Sequence, residues 1–146
     1  MSNFKLLFIS ALFFASFNAY SQKDKGFNFP PEFGKMETLV VINFHGEKVT
    51  KAIVEAFEKE YGGKFQQIEE RTSGKYKPDS AITVYMLSVI EKPSASMDNS
   101  SDYKFGLTNL KTRKAYWCDF WSGSYKKGAK YYVKHLERWR KENGGR

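Results

Sequence analysis

Cysteine is almost missing from this 146-residue chain. Cys118 is the only one, which excludes an intrachain disulfide and leaves the fold to stand on its apolar core. Histidine is nearly as scarce. His45 and His135, with one thiol, are too few and too scattered to form a metal-ligand cluster. No acidic loop carries the alternating oxygen donors that calcium requires. Nor is there a glycine-rich phosphate loop, because Gly62-Gly63 and Gly144-Gly145 read as terminators. The sequence therefore predicts neither metal nor cofactor.

Long apolar runs are lacking too. The segment Leu6 to Ala15 is about ten residues, half of the roughly 20 needed to span a bilayer. With Lys5 before it and Ala19-Tyr20-Ser21 after it, the segment has the grammar of a cleavable secretory signal, and no Cys near the cut points to a lipid anchor. Cleavage after Ser21 is expected to leave 125 residues, enough for one domain. The expected organisation is a signal peptide over 1–21, an extended lead-in over 22–36 and a single α/β domain over 37–146. The mature protein is expected in a periplasm or outside the cell, with no membrane span.

Acidic residues are scarce in the last third of the chain. From Gln22 to Asp102 there are 11 Lys or Arg against 13 Asp or Glu, whereas from Tyr103 to Arg146 there are 12 against 3. An anionic partner should therefore meet the C-terminal end.

What is present is a pattern that changes period. Leu39 to Phe44 is an apolar, β-branched run that reads as a strand buried on both faces. After His45-Gly46, residues Val49, Ala52, Ile53, Ala56 and Phe57 recur at helical spacing, and Gly62-Gly63 suits a left-handed cap. Lys64 to Glu69 reads as a second strand and Arg71 to Ser80 as a loop. Ala81 to Ile90 is apolar at both parities, so it is expected in the centre of the sheet. Glu91 to Asp102 reads as a connecting loop. Tyr103 to Leu110 and Arg113 to Trp121 then read as a hairpin, the second arm alternating Tyr116, Cys118 and Phe120 with Ala115, Trp117, Asp119 and Trp121. Ser124 is a good N-cap for a last helix over Tyr125 to Glu142. The order β-α-β-β-β-β-α implies a two-layer α/β (α+β) sandwich, a mixed sheet of about five strands with two helices. Phe27, Phe29 and Phe33 of the lead-in are available to dock on it.

On that last helix the positions divide at 100° per residue. Tyr125, Ala129, Tyr132, Val133 and Leu136 face the core. Lys127, Lys130, Lys134, Arg138 and Lys141 form a basic stripe, bordered by Tyr131, His135 and Trp139. Lysines attract phosphate or carboxylate polymers, and Tyr131 and Trp139 offer rings for stacking on bases or sugars. These eight residues are the candidate partner-binding set; the competing reading is a solvated helix face whose border aromatics complete the core.

No catalytic residue is indicated. Cys118 alternates between Tyr116 and Phe120 as a small buried hydrophobe would, away from any base that spacing can identify. Ser124-Tyr125-Lys126-Lys127 fits the Ser-x-x-Lys pattern, but it falls where a helix start already wants a serine cap and lacks its companion motifs. Asn99-Ser100-Ser101 matches a glycosylation sequon that carries meaning only in a eukaryotic source.

Two stretches resemble a family of small bacterial envelope domains. Asn43-Phe44 ending a strand, with Gly62-Gly63-Lys64-Phe65 leading to Ile68-Glu69-Glu70, is similar to the opening of TolB N-terminal domains. The same pattern occurs in the lipoproteins that form the curli secretion channel or activate penicillin-binding proteins. Phe105 to Trp117, FGLTNLKTRKAYW, resembles their paired strands, with Arg113 where the family usually has Gly. The resemblance implies an α/β fold and a non-enzymatic class that binds envelope partners, and no contact motif carries over. The expected function is an exported interaction module contacting an anionic envelope polymer or a protein partner through its basic C-terminal helix. Specific nucleic-acid recognition is not indicated. The alternatives are a small envelope hydrolase with an unfamiliar site and a structural or stress-related secreted protein.

Overall fold

The computed structural model describes residues 26–68, 81–96 and 98–145. The expected signal segment, Glu69-Glu70 and the loop 71–80 lie outside these residues. The elements are β1 (Thr38–Ile42), α1 (Glu47–Glu60), β2 (Lys64–Gln67), β3 (Thr83–Pro93), β4 (Ser101–Asn109), β5 (Ala115–Trp117) and α2 (Tyr125–Glu142). They form the expected mixed five-stranded sheet, in the order β2-β1-β3-β4-β5. β1 runs parallel to both β2 and β3, and β4 antiparallel to β3 and β5.

β3 takes the central place because it is apolar at both parities. Tyr85 and Leu87 join Val40, Ile42, Phe105 and Leu107 beneath the helices, where Ile53, Phe57, Val133 and Leu136 complete the main core. Val84 and Met86 point the other way and cluster with Val41 and Leu110. Each large side chain buried here stabilises by roughly 1.5–3 kcal/mol relative to leaving it in water.

Several boundaries differ from the sequence expectation, each for a physical reason. Glu91 to Asp102 is not all loop: Glu91, Lys92 and Pro93 extend β3 and pair with Tyr103, Asp102 and Ser101. The hydrogen-bond ladder outruns the hydrophobic pattern here, because Glu91, Lys92 and Pro93 are exposed and need no apolar alternation. β5 is shorter than expected. Beyond Trp117 the lead-in takes over its outer edge, the Gly26 carbonyl accepting from the Asp119 N–H at 2.7 Å. β1 stops at Ile42, leaving Phe44 half exposed.

Gly62-Gly63 is not a left-handed cap. Helix α1 ends as Tyr61 turns extended, at φ −106° and ψ 121°. A Cβ on Gly62 would lie 3.0 Å from Glu137 Oε1, so glycine there allows the backbone to approach that carboxylate closely. Its N–H donates to Glu137, one of the bonds that hold the carboxyl below its ordinary range.

The lead-in is part of the globule. Phe29 and Phe33 are buried, Phe33 against Tyr85 and Phe29 against Tyr132. The Tyr85 hydroxyl donates to Glu32 Oε1 at 2.8 Å, and the Trp139 indole N–H donates to the Pro30 carbonyl at 3.0 Å. Three phenylalanines without periodicity thus serve as anchors rather than as an element.

Candidate functional site

Helix α2 starts where Ser124 caps it, the hydroxyl accepting from the Lys127 N–H at 3.4 Å. One turn later Gly128 lets the helix settle onto the sheet. A Cβ there would meet Phe105 Cε2 at 2.7 Å and Ser122 Cβ at 2.8 Å. The helix can therefore lie directly against the segment that leaves β5, and a groove of about 500 Å³ opens between them. Phe120 and Trp121 line one wall; Lys127, Lys130, Tyr131 and Lys134 line the other.

Lys127, Lys130 and Lys134 are all exposed. Among the described residues only Lys130 of the three has an acidic neighbour, Glu60 at 3.8 Å, a distance that neutralises little in water. Tyr131 is 50% exposed and Trp121 38%, so both rings meet solvent. Tyr131 is steadied by edge-on contacts with Phe120 at 5.5 Å and His135 at 4.3 Å. On the far wall the Lys92 ammonium lies 4.1 Å from the centre of the Trp121 ring and that of Lys104 5.7 Å. The β3–β4 hairpin thereby holds the indole by cation–π attraction and adds two positive charges.

The structure divides the eight predicted residues. Lys127, Lys130, Tyr131 and Lys134 come together on the groove. His135 and Trp139 are turned inward: His135 is only 9% exposed and lies under Phe27, its Nδ1–H donating to the Tyr131 carbonyl at 2.9 Å, while Trp139 is tied to the lead-in. Arg138 and Lys141 do not line the groove, and Lys141 lies 3.5 Å from Glu137. Phe120 and Trp121 were missed as site residues, because alternation along a strand assigns each a face without saying which helix crosses it. The one signal for them was two adjacent large aromatics just before a Ser-Gly-Ser break.

Cys118 is completely buried, and its thiol donates to the Phe120 carbonyl at 3.4 Å. Burial pushes its pKa up, the reverse of what a nucleophilic thiolate needs. His45 belongs to another part of the fold, its Nε2 3.4 Å from the Leu87 carbonyl. Among the described residues no group of His, Cys, Asp and Glu could hold a metal ion, and no helix is long and apolar enough to cross a membrane.

No protein-family model matches the chain, and no curated protein does. Among solved structures, a PelC dodecamer from Paraburkholderia phytofirmans is similar over 75% of this chain and 93% of its own, with 11% identity and a TM-score of 0.44. A single-substitution variant of that protein, also a dodecamer, covers 70% and 89%, at 11% identity and a TM-score of 0.41. A likeness this loose carries no argument about function.

Proposed function

We propose that this protein is an exported, non-enzymatic interaction module that holds an anionic polymer of the cell envelope in the groove between α2 and the Phe120–Ser122 segment. The observation that carries the reading is the convergence of Lys127, Lys130 and Lys134 with the exposed rings of Tyr131 and Trp121 on one concave surface. Charge supplies attraction without sequence preference, and the rings supply contacts that salt does not screen. The signal-like N-terminus and the resemblance to envelope domains support an envelope setting.

The test is binding of the purified protein to peptidoglycan, acidic polysaccharide, anionic lipid vesicles and single-stranded nucleic acid, each across a salt series. Binding to one polymer that survives about 0.15 M salt is expected, where exposed charges more than about 8 Å apart are largely screened. Replacing Lys127, Lys130 and Lys134 together by Glu should abolish it. Unchanged binding by that variant would overturn the reading.

A further inference from the structure

We infer that the polymer is a carboxylated glycan, a chain of uronic-acid rings. This rests on the groove being the binding site, and it adds the ligand class. Lys127, Lys130 and Lys134 are three and four residues apart on one helix face, with rises of about 4.5 and 6 Å, each close to the length of one pyranose unit. Tyr131 borders that lysine row, four residues after Lys127 and three before Lys134, and its half-exposed ring opens into the same groove. Trp121 faces them from the other wall, flanked by Lys92 and Lys104.

Each wall of the groove thus carries both cations and a ring. A uronic-acid unit carries its carboxylate on the ring itself, so charge and stacking face belong to the same unit and call for a lysine beside each aromatic. In a single strand of nucleic acid the pentose separates phosphate from base. Such a ligand wants a cationic track along one line and a stacking platform along another. The aromatics line a groove rather than crown a flat apolar face, which favours a polymer strand over a bilayer surface. The C–H faces of a pyranose ring suit an aromatic ring, and its carboxylates suit ammonium groups that keep much of their hydration.

The purified protein is titrated with oligogalacturonates of increasing length, with the same oligosaccharides after reduction of their carboxyls, and with polyphosphate, dextran sulfate and single-stranded DNA. Oligogalacturonate is expected to bind at about 0.15 M salt, where exposed charges are substantially screened. Carboxyl reduction should weaken it by at least about tenfold, the equivalent of roughly 1.4 kcal/mol. Tyr131→Ala and Trp121→Ala should each weaken it by about tenfold, with Tyr131→Phe close to the unchanged protein. Polyphosphate, dextran sulfate or DNA binding as tightly as oligogalacturonate would overturn the glycan assignment while leaving the groove as a polyanion site. So would full affinity in both alanine variants. Failure of every polyanion to bind would overturn the groove reading itself.

Discussion

Phe27 lies flat against His135, their ring centres 4.1 Å apart and their planes 10° from parallel. The same phenylalanine touches Phe120 at 5.0 Å and Tyr131 at 5.3 Å, so one side chain of the lead-in supports both walls of the groove. Phe27→Ala should lower stability by about 2 kcal/mol, less than a fully buried phenylalanine costs, because the ring is partly exposed. Chemical denaturation checks it. An unchanged midpoint would mean the lead-in is not held by this residue.

Glu137 and Arg140 form a buried ion pair, Arg140 Nε to Oε2 at 2.7 Å and Nη2 to Oε1 at 2.8 Å. Burial raises the Glu137 pKa, but the bonds from Arg140 and Gly62 and the charges of Arg140 and Lys141 outweigh it and hold the carboxyl below its ordinary value. Because that pKa is depressed, its contribution is present above the ordinary glutamate value of about 4.5 and is lost as pH falls through the folded value. Burial lowers the His45 pKa, outweighing the bond to the Leu87 carbonyl, so stability also falls as pH drops from about 6.5 towards that depressed value. Thermal melts from pH 7 to 3 should show two successive losses. Glu137→Gln should remove the lower one while costing about 3 kcal/mol at neutral pH, by removing the carboxylate that Arg140 clamps with two bonds.

Among the described residues the fully buried Tyr132 hydroxyl has no hydrogen-bond partner. Removing it exposes nothing and deletes an unsatisfied polar atom, so Tyr132→Phe should leave stability unchanged or raise it by about 1 kcal/mol. A loss beyond that margin in a urea titration would show that the hydroxyl is satisfied.

Arg113 sits at φ 62°, a left-handed conformation disfavoured for a residue with a Cβ. Arg113→Gly should therefore stabilise by about 0.5–1 kcal/mol despite the added freedom of the unfolded chain. A lower melting temperature would contradict the strain argument.

Cys118 should resist a water-soluble disulfide reagent in the native protein and react at once in denaturant, because it is buried and its thiol pKa is raised. Rapid modification of the folded protein would show an opening that exposes the segment after β5. The processed N-terminus is checked separately by intact mass, which should correspond to residues 22–146 after export.

Period alone determined much of this protein. The apolar run of β1, the 3.6-residue recurrence in both helices and the two-parity apolar pattern of β3 each record burial at that position, so element order, class and the centre of the sheet could be read from the sequence. The cationic stripe was legible for the same reason, since positions three and four apart on a helix share a face. What a helical projection cannot state is which border the rest of the chain will cover. Tyr131, His135 and Trp139 are equivalent on a wheel, yet only Tyr131 meets the groove, because Phe27 and Pro30 arrive from more than a hundred residues away to cover the other two. Trp121 came to line the groove only when Gly128 let α2 descend on Ser122, and β3 and β4 lengthened because backbone pairing continues where no apolar side chain marks it. Local periodicity reports how much each position is buried; long-range packing decides against what.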